Sequence, residues 1–141
     1  MRIKIAVCDD STVDQQYVSD MVDRWAVQRG HTVHIDTFIS AESFLFHYAE
    51  ESDYDILLLD IEMGEMDGVT MARQLRRSNE AVQIIFITGH SDYISEGYEV
   101  EALHYLMKPV REEKLHSVLE RAVEKLAKNE KVLDLESGGE M

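Results

Sequence analysis

Short apolar runs punctuate the chain, and between them apolar residues recur at helical spacing. Residues 3–8 form the first run, residues 56–59 (all Ile or Leu) another, and residues 82–88 a third. Such runs, bounded by turn signals, suit strands buried on both faces of a parallel sheet. Residues 31–38 read differently. Val33, Ile35 and Thr37 alternate with His34 and Asp36, the pattern of a half-exposed strand, with His31 and His34 toward solvent. A fifth strand is predicted over 102–107.

The helices carry start and stop signals. Ser11 is placed as an N-cap, with Asp14 three positions on in the manner of a capping box. Val18, Met21, Val22 and Trp25 form the apolar stripe of that helix, and Gly30 closes it. Ser40 caps a second helix over 41–48. Asp67 or Gly68 starts a third, with Val69, Ala72 and Leu75 on one face and Arg73, Arg76 and Arg77 on the other. A short helix is predicted over 91–99, weakened by Gly97. The last runs from 112 to about 128 on Leu115, Val118, Leu119, Ala122 and Leu126.

Five strand–helix units imply an α/β fold with a parallel sheet covered on both faces. At this size the flavodoxin-like, doubly wound order 2-1-3-4-5 is the common solution. Its switch point falls between strands one and three.

Composition narrows the function classes. The chain has 141 residues, enough for one domain with a sizeable core. Its formal net charge is -14, with 28 acids against 14 bases, so it is unsuited to binding nucleic acid by phosphate neutralisation. No apolar stretch approaches the ~20 residues of a membrane span. The N-terminus reads as a strand rather than a secretory signal. The one cysteine, Cys8, lies in an apolar run and reads as core. A cytoplasmic protein without membrane contact is expected.

The chemistry-bearing residues stand at strand ends. Asp9 and Asp10 follow strand one, Asp60 follows strand three, Thr88 ends strand four, and Lys108 follows strand five. The predicted fold brings these ends to one edge, where open parallel sheets bind ligands. At ~4 Å and an effective dielectric of ~20, each pair of like carboxylates costs about 4 kcal/mol. An acidic, all-oxygen cluster of this kind suits Mg²⁺. Carboxylates, a lysine and a hydroxyl around one point suit a phosphoryl group, and one carboxylate can be the nucleophile. Each residue alone has a plainer reading: a solvated strand end, a β-branched strand residue, a surface lysine. Their joint placement favours the site.

At this point the sequence resembles the receiver domain of two-component response regulators, with a CheY-like fold, over about residues 2–128. The matching stretches are 5–10, 55–63, Met66-Asp67-Gly68, 84–89, and Tyr105-Leu106-Met107-Lys108-Pro109. The resemblance implies that Asp60 accepts a phosphoryl group from a sensor histidine kinase. It implies that Asp10, Asp60 and the main-chain carbonyl of Glu62 bind Mg²⁺, with Asp9 assisting through water. Lys108 would contact the phosphoryl oxygens. Thr88 and Tyr105 would form the switch that remodels the surface near the fourth helix and fifth strand, a dimer or partner surface, and a homodimer on activation is expected. A cis Lys108–Pro109 bond is also implied. Two positions stand out: Gly64 replaces the family's usual proline, and Glu62 and His90 flank the path of an attacking water.

The segment 91–110 is similar to receivers of LytTR-type transcription regulators. Residues 129–141 form a linker or tail. Residues 131–140 read either as the first strand and turn of a truncated LytTR-type DNA-binding domain or as an acidic terminus without fixed structure. Three functions follow in order: a phosphorylation-controlled transcription regulator whose DNA-binding domain lies outside this chain, a stand-alone receiver that docks a protein, and a phosphatase of the haloacid-dehalogenase type. The last fits poorly, because that family needs a second Asp where Glu62 stands.

Overall fold

The computed structural model describes residues 1–89 and 100–139, with side chains as far as residue 129. The elements are β1 (Arg2–Cys8), α1 (Thr12–Arg29), β2 (Thr32–Phe38), α2 (Ala41–Tyr48), β3 (Ile56–Leu59), α3 (Gly68–Arg76), β4 (Gln83–Thr88), β5 (His104–Met107) and α4 (Glu112–Gly139). The helix predicted over 91–99, with His90 before it, lies outside the described residues.

All strand pairings are parallel, and the sheet order is β2-β1-β3-β4-β5, as the α/β reading required. Register aligns the carboxyl ends of the central strands. Cys8 is opposite Leu59, Leu59 opposite Phe86, and Thr88 opposite Met107. The residues after β1, β3 and β5 therefore emerge together at one edge.

Pleating explains the solid apolar runs. Alternate residues Ile5, Val7, Ile56, Leu58, Ile85 and Ile87 face a core built with α1 and α4. Their neighbours Ala6, Cys8, Leu57, Leu59, Ile84 and Phe86 face a second core with α2 and α3. Both faces are buried, so each position gains from being apolar, at about 1.5–3 kcal/mol for a large side chain. The predicted stripes hold: Val18, Met21, Val22 and Trp25 on α1, and Leu115, Val118, Leu119 and Ala122 on α4, are buried. Cys8 is fully buried, and burial, with the nearby Asp9 charge, pushes its thiol well up.

Three local expectations need correction. His31 is half-buried, with its ring 4.9 Å from that of Trp25, whereas His34 is exposed as expected. Thr37 is exposed; β2 is an edge strand only partly covered along its length, and a hydroxyl gains little from burial there. Arg76 is no solvated face residue. Its guanidinium donates to the carbonyls of Val82 (2.7 Å), Val100 (2.6 Å) and Glu101 (3.0 Å), and burial pulls its pKa down. It bridges the end of α3 to the start of β4 and to the approach to β5.

The tail differs most. The last helix does not stop near 128, and residues 131–139 are helical rather than a strand and turn. The physical reason lies in its composition. Residues 123–136 are rich in Glu, Lys, Leu and Ala, all strong helix formers, and no glycine interrupts them before Gly138. Val132, the one β-branched residue of 131–136, does not outweigh that preference.

Candidate functional site

The sheet's hydrogen-bond ladder runs one residue beyond three strands and fixes the backbone of the site. The Asp9 amide donates to the Phe38 carbonyl (3.0 Å), that of Asp60 to Cys8 (2.8 Å), and that of Lys108 to Thr88 (2.9 Å). Asp9, Asp60, Thr88 and Lys108 thus meet at the carboxyl edge. Asp9, Asp60 and Thr88 are buried, Lys108 is part-buried, and Asp10 is exposed. The Lys108–Pro109 peptide bond is cis.

Lys108 ties the strand ends together. Its Nζ donates to Asp9 Oδ2 at 2.8 Å, Asp14 Oδ2 at 3.0 Å and Asp60 Oδ2 at 3.4 Å. An ammonium has three N–H donors, so these three acids engage its whole capacity. Burial pulls the Lys108 pKa down, but the Asp9 and Asp14 hydrogen bonds and the Asp60 charge outweigh it and hold the lysine well above its ordinary value. Burial pushes the Asp60 carboxyl up, and the Asp9 charge adds to this. Lys108 and the Ile61 amide, which donates to Asp60 Oδ1 at 2.8 Å, oppose it.

The loop after β3 is shaped by two glycines. Gly64 has φ 82°, in the left-handed region that proline cannot enter, which accounts for glycine at that position. A Cβ on Gly68 would lie 2.2 Å from the Asp60 carbonyl oxygen. Only glycine lets α3 approach the strand end so closely, and the Gly68 amide uses that approach to donate to Ile61 O at 2.7 Å. Asp67 caps α3 by accepting from the Thr70 amide at 2.7 Å. The Glu62 side chain is exposed in this loop.

Asp9, Asp10 and Asp60 each offer a carboxylate oxygen, and the three lie within 4.8 Å of one another. That approaches the ~4 Å span of two oxygens on one octahedral Mg²⁺. The donors are all hard oxygens and one residue is open to solvent, so the set fits Mg²⁺ rather than a thiolate- or imidazole-preferring metal. Thr88 is buried on the adjoining strand end. Tyr105, one strand over, is half-buried with its ring 6.3 Å from that of Phe86.

Two side chains at this site were not found by sequence reasoning. Asp14 was read as the returning half of a capping box. Ser11 does cap α1, accepting from the Asp14 amide at 3.2 Å, but the Ser11 amide donates to Asp9 Oδ1 (2.9 Å) and leaves the Asp14 carboxylate for Lys108. Gln15 is buried and donates through Nε2 to the carbonyls of Asp9 (2.7 Å) and Phe38 (3.0 Å), bracing the β1 end. Its signal was available: a polar residue on the same stripe as Val18 and Val22.

Comparison with known proteins agrees with this geometry. Residues 5–120 match the family model described as the response regulator receiver domain. The chain is 28% identical over 123 residues to the transcriptional regulatory protein NatR of Bacillus subtilis, covering 87% of this chain and 51% of NatR. It is 27% identical over 135 residues to the sensory transduction protein LytR of Streptococcus agalactiae, covering 95% of this chain and 53% of LytR. The chain therefore spans about half the length of these curated relatives. Among solved structures, it resembles the BeF3-activated receiver domain of DrrB from Thermotoga maritima, with TM-score 0.71 and 26% identity over 88% of this chain and 99% of that one.

Proposed function

The chain belongs to the response regulator receiver family, and on that premise we propose that Asp60 is its phosphoacceptor. Receivers of this family are signalling domains that histidine kinases phosphorylate. An Asp60 carboxylate oxygen attacks the phosphorus of a kinase phosphohistidine. The new O–P bond forms as the P–N bond breaks, and the imidazole leaves with the electron pair. Lys108 neutralises charge on the transferred oxygens, and the Thr88 hydroxyl donates to one of them once transfer is complete. Asp10, Asp60 and the Glu62 main-chain carbonyl would hold Mg²⁺, with Asp9 acting through water. When bound, the ion offsets like charge among the acids and on the phosphoryl oxygens. The observation that carries this reading is the buried Asp60 carboxylate, 3.4 Å from Lys108 Nζ and grouped within 4.8 Å with carboxylate oxygens of Asp9 and Asp10.

Phosphorylation adds roughly two negative charges. Thr88 and Tyr105 are the residues through which this charge shifts the surface around 91–99 and β5, biasing homodimer formation. Output is transcription, through a C-terminal DNA-binding domain outside this chain. The half-length match to regulators such as NatR supports that division.

The test is a small acyl phosphate with Mg²⁺, read by intact mass. A phosphate-sized gain is expected, and Asp60→Ala abolishes it. No gain from either the acyl phosphate or a phosphorylated kinase, or a gain that survives Asp60→Ala, overturns the reading. Light scattering on the phosphorylated chain tests the dimer.

A further inference from the structure

Lys108 faces three acids, yet the proposed reaction employs only two of them. The third, Asp14, comes from the first turn of α1. Its Oδ2 lies 3.0 Å from Nζ, closer than Asp60 at 3.4 Å. Its side chain is 43% exposed, so it could turn to solvent at little cost, and yet it is turned to the lysine. It is not held there by helix capping, because the Ser11 amide that a capping box would give it is taken by Asp9.

We infer that Asp14 is a positioning residue that acts as a brake: it shares the Lys108 ammonium and holds it back from Asp60 until a phosphoryl group competes for it. The inference rests on the reading of Asp60 as phosphoacceptor. Two effects act in the same direction. A lysine with all three donors engaged must release one to meet an incoming phosphoryl oxygen. The Asp14 charge also repels the anionic group that arrives beside it. Asp9 cannot serve as the brake in the same way, because it is buried and its carboxylate also accepts from the Ser11 amide. Among the described residues the Asp14 carboxylate meets only the lysine, and it is partly open to water, so it can let go.

Removing the brake leaves the fold intact, since the contribution of Asp14 to the α1 cap is made by its backbone amide. Asp14→Asn is expected to tighten binding of fluoroberyllate with Mg²⁺, followed by fluorine NMR, and to speed labelling by acetyl phosphate. Each change should be about fivefold, the scale of one part-exposed charge contact. Asp14→Glu should restore slow labelling. Asp23→Asn, which removes one charge from an exposed position of the same helix, should change neither. With no ligand present, the Lys108 Nζ resonance should move in Asp14→Asn and not in Asp23→Asn.

The outcomes separate the two readings. A wild-type chain that takes up neither fluoroberyllate nor phosphate overturns the phosphoacceptor assignment. A wild-type chain that takes them up, with Asp14→Asn indistinguishable from it, overturns the brake alone. So does an equal gain in Asp23→Asn, or an unmoved Lys108 resonance.

Discussion

Two lysines sit among acids at opposite edges of the same sheet. At the amino edge, Lys4 Nζ lies 2.7 Å from Asp53 and 3.4 Å from Glu51, and 4.6 Å above the Tyr54 ring. At the carboxyl edge, Lys108 meets Asp9, Asp14 and Asp60 at similar distances. The residue types are nearly the same; the surroundings are not. The Asp53 side chain is 76% exposed, and that of Asp60 only 9%. At the open edge the Lys4 hydrogen bond dominates and draws the Asp53 carboxyl down. At the closed edge burial dominates and drives the Asp60 carboxyl up, despite its own lysine. An ion pair in water settles its own charges, whereas one in a cleft remains poised for a further charged group.

The largest break in this contrast should come from Gly68→Ala. Its Cβ has no room beside the Asp60 carbonyl, and the overpacking should cost about 2–3 kcal/mol in urea denaturation. Next is Lys108→Ala, which leaves the nearly buried Asp9 and Asp60 facing each other without a cation. It should destabilise by about 2 kcal/mol, in part restored by Mg²⁺. Lys4→Ala should cost less than about 1 kcal/mol, with no response to Mg²⁺. Equal losses, or a Mg²⁺ response from the Lys4 variant, would erase the distinction between the edges.

A smaller effect concerns pH, and its sign differs between the edges. The folded-state pKa of Asp60 lies above its ordinary 3.8, so the folded chain binds more protons in the window between the two values. Its contribution therefore falls as pH rises through that window. Asp60→Asn should raise metal-free stability at neutral pH, a gain that vanishes below the ordinary carboxylate range. Asp53 behaves oppositely. Its folded-state pKa is lowered, so its contribution is full above 3.8 and is lost as pH falls through the lowered value. Asp53→Asn should therefore weaken the fold slightly at neutral pH and not in acid. Thermal melts across pH 3–8 would show both trends, and matching signs would refute them.

Much of the fold was legible because burial on both faces writes strands as solid apolar runs. The 56–59 run matched β3 residue for residue. The site was legible where chemistry stands at strand ends, as with Asp60 and Lys108. Asp14 was not, because its spacing from Ser11 fits a local motif equally well, and only the fold brings it to a lysine 94 positions away. Arg76 was hidden for the same reason. A basic residue at the end of a helix reads as a solvated charge until carbonyls from two other segments close around it. The tail was misread because a few β-favouring residues drew attention from a helical background. Glycine was the informative signal in the loop after β3, where the substitution for proline at Gly64 matches a backbone that proline cannot adopt.

Arg76 has a consequence for the placement of Lys108. The chain leaves the sheet after Thr88 and is gripped again at Val100 and Glu101 by one guanidinium, and the Leu103 amide then docks on Ile84 O at 2.7 Å. The register of β5, and with it the position of Lys108, is set downstream of that grip. The contacts that set this register come from Arg76, Val100, Glu101, Leu103 and Ile84, so Arg76→Ala should loosen the lysine's position without touching the site itself.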